Sequence, residues 1–209
     1  MQVIARIEKY LSHGEHYDGL EKDLAILVAR ARLAYTDPLT GVANRAGLVA
    51  EWPELCLSGP TVVMIDLDRF KPINDEHGHA AGDLILVEVA VRLGTCGGRV
   101  ARLGGDEFAL VLPQCALVRA VALMNDLCRY VARPIWVAGV EMAVTMSVGM
   151  YRATSLTDLG LVLACADAAM YRAKATGIAV AAYNPHVDGR PVVDGRPIVR
   201  LRDRWPSVT

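Results

Sequence analysis

Three things are missing from this chain, and each closes off a class of function. No uncharged apolar run approaches the roughly 18 residues that a membrane span requires, so insertion into a bilayer is not expected. There is no excess of positive charge: 22 Lys and Arg stand against 23 Asp and Glu, for a net charge of -1 and a pI near 6.5. Without a basic field little would hold a nucleic-acid backbone, and no nucleic-acid partner is expected. There is also no Cys-x-x-Cys pair. Cys56, Cys96, Cys115, Cys128 and Cys165 are scattered and odd in number, which argues for free thiols in a reducing compartment. The first ten residues carry charges where a signal peptide would be apolar, so a cytoplasmic location is expected. What is there is a well-packed globular chain: 209 residues, 53% hydrophobic, with room for one domain and extensions.

The stretch with the most chemistry is Arg102-Leu103-Gly104-Gly105-Asp106-Glu107-Phe108, set between the apolar runs Val100 to Leu103 and Phe108 to Leu112. Two glycines between strand-like runs predict a hairpin turn. Asp106 and Glu107 on an exposed turn would suit a hard cation, and the glycines would let a phosphate or nucleotide approach the backbone. On its own the tetrapeptide fits a solvated acidic turn equally well.

Thr61 to Asp68 reads as a buried strand ending in Asp66 and Asp68, which alternation places on one face. A carboxylate ending an apolar strand is costly unless something positive meets it, and a divalent metal is the natural candidate. If this strand neighbours the hairpin, Asp66, Asp106 and Glu107 converge at one sheet edge. Two Mg²⁺ ions about 4 Å apart could then be held for in-line attack on phosphorus. Lys71 and the backbone amides near Phe70 are placed to take phosphate charge.

Around these segments the spacing predicts helices. Residues 1 to 35 form two amphipathic pieces interrupted at Ser12-His13-Gly14, the second with the stripe Leu20, Leu24, Leu27, Ala31. They would either pack on their own domain or form an arm that pairs with a second copy. His13 and His16 suit a solvated face better than a metal site. Thr36 to Arg45 is a turn cluster, with Thr40 or Asn44 to cap the helix that follows, read as Val42 to Leu55. Ala80 to Leu93 presents Leu84, Leu86, Val87 and Val91, and Ala116 to Val131 presents Val118, Val121, Leu123, Met124 and Leu127. Ile135 to Val140 and Met142 to Met150 read as a hairpin closing at Gly139. Asp158 to Thr176 is a helix capped by Thr157 and stopped by Gly177, and Ile178 to Tyr183 is a last strand. Asp188-Gly189-Arg190-Pro191 recurs as Asp194-Gly195-Arg196-Pro197, a turn-rich appendage read as loose or hairpin-forming, with Trp205 to pin it.

Several separated blocks together resemble the GGDEF domain of the diguanylate cyclase family, which condenses two GTP into cyclic di-GMP. They are Asp37-Pro38-Leu39-Thr40-Gly41 with Asn44-Arg45; Asp66 to Asp75 with Gly78-His79 and Gly82-Asp83; Arg102 to Phe108; Ser147-Val148-Gly149; and Ala166 to Lys174. The resemblance runs from about Thr36 to Tyr183. It implies a mixed α/β (α+β) fold, a mainly antiparallel sheet flanked by helices, like nucleotide-cyclase and polymerase palms. It divides the chain into a helical arm (1–35), a GGDEF domain (36–184) and a tail (185–209). It implies that Asp66, the Leu67 carbonyl, Asp106 and Glu107 ligate Mg²⁺, with Mn²⁺ as the alternative ion, and that Asp106 takes the proton of the attacking 3′-hydroxyl. Asn74 and Asp83 would read guanine, since a carboxylate accepts from N1–H and the 2-amino group together and meets only an acceptor at adenine N1. Lys71 and Lys174 would hold β- and γ-phosphates, Phe70, Gly104 and Gly105 would line the nucleotide, and His79 would shape its loop. Each domain would hold one GTP, so a homodimer is expected, and a dimerising arm would raise the effective concentration of one half-site for the other.

Two departures matter. The family's primary product-inhibition site would fall on Thr95-Cys96-Gly97-Gly98, which has neither the Arg nor the Asp, so feedback through it is not expected. Ile178 follows Gly177 where many members have arginine, so one γ-phosphate contact is expected to be lost. The competing expectation is a GTP-binding module with little turnover, acting as a sensor or scaffold.

Overall fold

In the computed structural model, residues 19–154 and 157–189 are described. The first helical piece, His13 and His16, the second Asp-Gly-Arg-Pro copy and Trp205 lie outside them. In chain order the elements are α1 (Leu20–Tyr35), β1 (Ala43–Asn44), α2 (Arg45–Leu55), β2 (Thr61–Leu67), α3 (Phe70–His77), α4 (His79–Gly94), β3 (Arg99–Gly104) and β4 (Glu107–Leu112). Then follow α5 (Leu117–Val131), β5 (Ile135–Val137), β6 (Val140–Met142), β7 (Met146–Arg152), α6 (Leu159–Thr176) and β8 (Val180–Ala182).

Every residue of β2 is buried, as its unbroken apolar run requires, and it lies inside a six-stranded sheet of order β1-β3-β4-β2-β7-β8. Its neighbours β4 and β7 are both antiparallel to it, while β1 on β3 and β8 on β7 are parallel. Alternation along β2 divides the core. Val63, Ile65 and Leu67 face α4, α5 and the β5–β6 ribbon through Ile85, Val89, Met124 and Val137. Val62 and Met64 face α2 and α6 through Leu48, Trp52, Val162 and Met170. The mixed α+β architecture with helices on both faces of a mainly antiparallel sheet agrees with expectation.

One glycine sets how closely α6 lies on that second face. A Cβ on Gly149 of β7 would meet Ala166 O at 2.0 Å and Met170 N at 2.1 Å, so the helix backbone rests directly on the strand. On the other face, buried Arg92 of α4 donates to the carbonyls of Tyr130, Val131 and Arg133 at 3.2, 2.9 and 2.6 Å. It thereby binds carbonyls in the last turn of α5 and just beyond it, where intrahelical bonds run out.

Several local expectations are corrected. Met142 to Met150 is not one strand: Val140–Met142 pairs only with β5 in a separate ribbon, and Met146–Arg152 joins the main sheet beside β2. The cap of α6 is Asp158, which accepts from Leu161 N at 3.0 Å, because Thr157 is engaged with Thr154 instead. Asn44, not Thr40, caps α2, which starts at Arg45 and not Val42 because Ala43–Asn44 pairs with β3; Thr40 is bonded to Asp37. The buried face of α4 carries Ile85, Leu86, Val89 and Leu93, leaving Leu84 and Val91 exposed, and Val118 of α5 is exposed too. In α4 nearly every central position is apolar, so periodicity could not choose the face. Leu24 and Ala31 of α1 are exposed rather than packed on the body. Of the first Asp-Gly-Arg-Pro copy, the described half, Asp188 and Gly189, is tied to the body: Arg172 donates to Asp188 Oδ1 at 2.6 Å, and Tyr183 Oη donates to Gly189 O at 2.6 Å.

Candidate active site

The site forms where β2 runs out. Asp66 continues the Val62, Met64 series onto the face covered by α2 and α6, and the register sets it directly opposite Glu107 of β4 on one side and Ser147 of β7 on the other. Directly opposed residues of antiparallel strands share a face, so two carboxylates are neighbours there. Both are buried, Asp66 2% and Glu107 5% exposed. Lys174, from the last turn of α6, pairs with Asp66 Oδ2. Asp68 is spent differently: the hydroxyls of Thr145 and Ser147 each donate to it at 2.7 Å, tying the start of β7 to the end of β2.

The signature turn differs in one respect from expectation. Gly104 ends β3, Gly105 and Asp106 form the tip, and Glu107 opens β4, so Glu107 is buried inside the sheet and not on an exposed turn. Gly105 has φ 55°, in the left-handed region where glycine is strain-free. Asp106 holds the tip against β2 through its backbone, accepting from Leu67 N at 3.3 Å. Among the described residues no three His, Cys, Asp or Glu side chains gather as a metal cage. The edge offers the Asp66–Glu107 pair, hard oxygen donors of the kind Mg²⁺ takes together with carbonyls and waters. The Lys174 ammonium already beside Asp66 shows that the pocket accepts positive charge.

The turn is clamped by residues that sequence reasoning did not single out as site residues. Arg102 donates through Nε and Nη2 to Gly105 O at 2.9 and 2.8 Å, and through Nη1 to Asp37 Oδ1 at 3.1 Å. Asp37 also accepts from Thr40 N and Thr40 Oγ1, at 2.9 and 2.7 Å. Burial alone would raise the Asp37 pKa, but the bonds from Thr40 and Arg102 outweigh it and hold the carboxyl below its usual range. The available signal was Asp37-x-x-Thr40, a side-chain turn pattern, and an arginine beside the glycines.

Of the residues expected to line a nucleotide, Phe70 and Asn74 of α3 come together against Gly82 of α4. A Cβ on Gly82 would lie 1.9 Å from Asn74 Oδ1 and 3.1 Å from the Phe70 ring, so the absence of a side chain there lets Asn74 sit one residue from exposed Asp83. The Phe70 ring is buried in the core. Lys71 and His79 are exposed, His79 opening α4. Ile178, 44% exposed, follows the left-handed Gly177 that ends α6.

Comparison with known proteins agrees with this geometry. The family model described as diguanylate cyclase, GGDEF domain, matches residues 34–179. An uncharacterized 19.3 kDa protein of Streptomyces ambofaciens is 41% identical over 157 residues, covering 72% of this chain and 84% of that protein. The response regulator PleD of Caulobacter vibrioides is 34% identical over 189 residues; the match covers 84% of this chain but 41% of PleD, so the chain spans less than half of that relative. Among solved structures, the coiled coil and GGDEF domain of DgcB from Caulobacter crescentus, in complex with c-di-GMP, superposes with a TM-score of 0.72 at 26% identity, covering 87% of this chain and all of that one. With residues 34–179 matched and the signature turn seated beside Asp66, the chain belongs to the diguanylate cyclase, GGDEF domain, family.

Proposed function

We propose that this chain is a diguanylate cyclase that joins two GTP into cyclic di-GMP with release of pyrophosphate, using Mg²⁺ at two half-sites that face each other in a homodimer. The observation that carries the reading is the buried Asp66–Glu107 pair beside the Gly104-Gly105 turn, in a chain of this family. Asp66, the Leu67 carbonyl and the signature acids would hold the ion, which when bound would neutralise charge on the phosphates. Asp106, at the tip, accepts the proton of the 3′-hydroxyl as that oxygen attacks the α-phosphorus of the other GTP and pyrophosphate departs. Asn74 and Asp83 read guanine from the α3–α4 crossing, and Lys71 and Lys174 hold the outer phosphates. Residues 1–35 act as the pairing arm; exposed Leu24, Val28, Leu33 and Tyr35 on α1 support this.

The test is purified protein with GTP and Mg²⁺, products separated by chromatography over a range of protein concentration. Cyclic di-GMP formed at a rate rising faster than linearly with protein is expected, and it should persist as product accumulates, because Thr95 to Gly98 lacks the Arg and Asp of the primary feedback site. One residue favours the second reading, a GTP-binding module with little turnover: Ile178 stands where a phosphate-binding arginine is expected. GTP binding without product would select it.

A further inference from the structure

The Asp66–Lys174 ion pair is unequally built. Asp66 is fixed in a central strand with its side chain 3% exposed, whereas Lys174 reaches in from the last turn of α6 with its side chain 48% exposed. A buried carboxylate needs a positive partner, and without ligands Lys174 supplies it. The ammonium occupies Oδ2, one of the two oxygens that Asp66 can offer a divalent cation. It also stands where the cation's own charge would repel it. Lys174 is the mobile half: its flexible stem carries a point charge that can leave for another anion without disturbing the sheet.

From this asymmetry we infer that Lys174 is a movable counter-ion that keeps the Asp66–Glu107 pair from taking up a bare divalent cation, and that a triphosphate draws it away so that metal and nucleotide enter together. The inference rests on the proposed function only in naming the triphosphate. It gives Lys174 opposite effects on two ligands: it opposes metal alone and favours nucleotide. By linkage, the factor by which nucleotide tightens metal equals the factor by which metal tightens nucleotide.

Mn²⁺ alone, titrated into the full chain and followed by its electron paramagnetic resonance signal, tests this without turnover. Wild type and Lys174→Arg should bind Mn²⁺ weakly, and Lys174→Met about ten-fold more tightly. Asp66→Asn should abolish the gain, which places the ion at this site. A non-hydrolysable GTP analogue should tighten Mn²⁺ by a factor about ten-fold larger in wild type than in Lys174→Met, where only the phosphates' own attraction for the ion remains. Lys174→Gln repeats the comparison should the methionine variant fail to fold. Equal Mn²⁺ affinity in wild type and the neutral variants without nucleotide, or no binding by any of them, overturns the inference and leaves Lys174 a phosphate contact. Absence of both GTP-analogue binding and product in wild type would instead sink the proposed function, so the two failures are read apart.

Discussion

At the scale of residues, the Arg102 guanidinium joins the turn carbonyl of Gly105 to Asp37, 65 positions away. Losing a charged hydrogen bond costs about 1.5–3 kcal/mol, so Arg102→Ala should lower cyclase activity roughly 10- to 100-fold with Asp66 and Glu107 intact. Because Asp37 and Arg102 form one unit, Asp37→Ala should add little to it; a double-mutant cycle in activity showing full additivity would separate them. The pair also has a pH signature. The folded Asp37 pKa is depressed, so its contribution to stability is complete above the unfolded value near 3.9 and is lost as pH falls through the lower folded value. Arg102→Ala should therefore begin acid unfolding at higher pH, read by circular dichroism; coincident curves would refute this. Ile178→Arg should tighten GTP about ten-fold by calorimetry if it restores the absent phosphate contact. Asp66 was legible in the sequence because an apolar strand rarely ends in a carboxylate without reason. The role of Arg102 was not, because its partner Asp37 is distant in the chain and only folding brings them together.

Elements show where local pattern suffices and where it fails. β2, β3, β4, α4 and α5 were legible to within a residue or so, since each has a period or an unbroken run bounded by Gly, Pro or a turn. The face of α4 and the fate of Met142 to Met150 were not. Residues 143 to 145 have the composition of strand, yet the backbone leaves the ribbon there to place β7 beside β2. Register alone then sets Ser147 opposite Asp66, a neighbour that no motif spacing announces. Gly149 belongs to a block that resembles the family; its physical role is the direct seat of α6. Gly149→Ala should force the helix off β7, costing about 1–3 kcal/mol in thermal or denaturant unfolding, and should loosen the reach of Lys174 to Asp66. Unchanged stability would show that the helix yields more readily than its backbone contacts suggest.

At the scale of the whole molecule, the described residues carry a buried carboxylate edge, an exposed side of α1 and a turn at Asp188 held by Arg172. Among the described residues no helix is long and apolar enough to cross a membrane. Replacing Leu24, Val28 and Leu33 with polar residues should leave folding intact, because all three are already exposed. It should cut the rate at low protein concentration and less at high concentration, as weakened pairing demands; an equal loss at all concentrations would argue against the arm. The docked turn at Asp188 has a practical corollary for where this chain can be shortened. The family pattern closes at 179, but the edge strand β8 begins at Val180, and Arg172 holds it at Ala182 O and holds the following turn at Asp188. A stop codon after residue 179 would peel away β8 and bare the edge of β7, an open template for other chains, so that product should sediment as aggregate. A stop codon after Gly189 should leave a protein that stays in the supernatant.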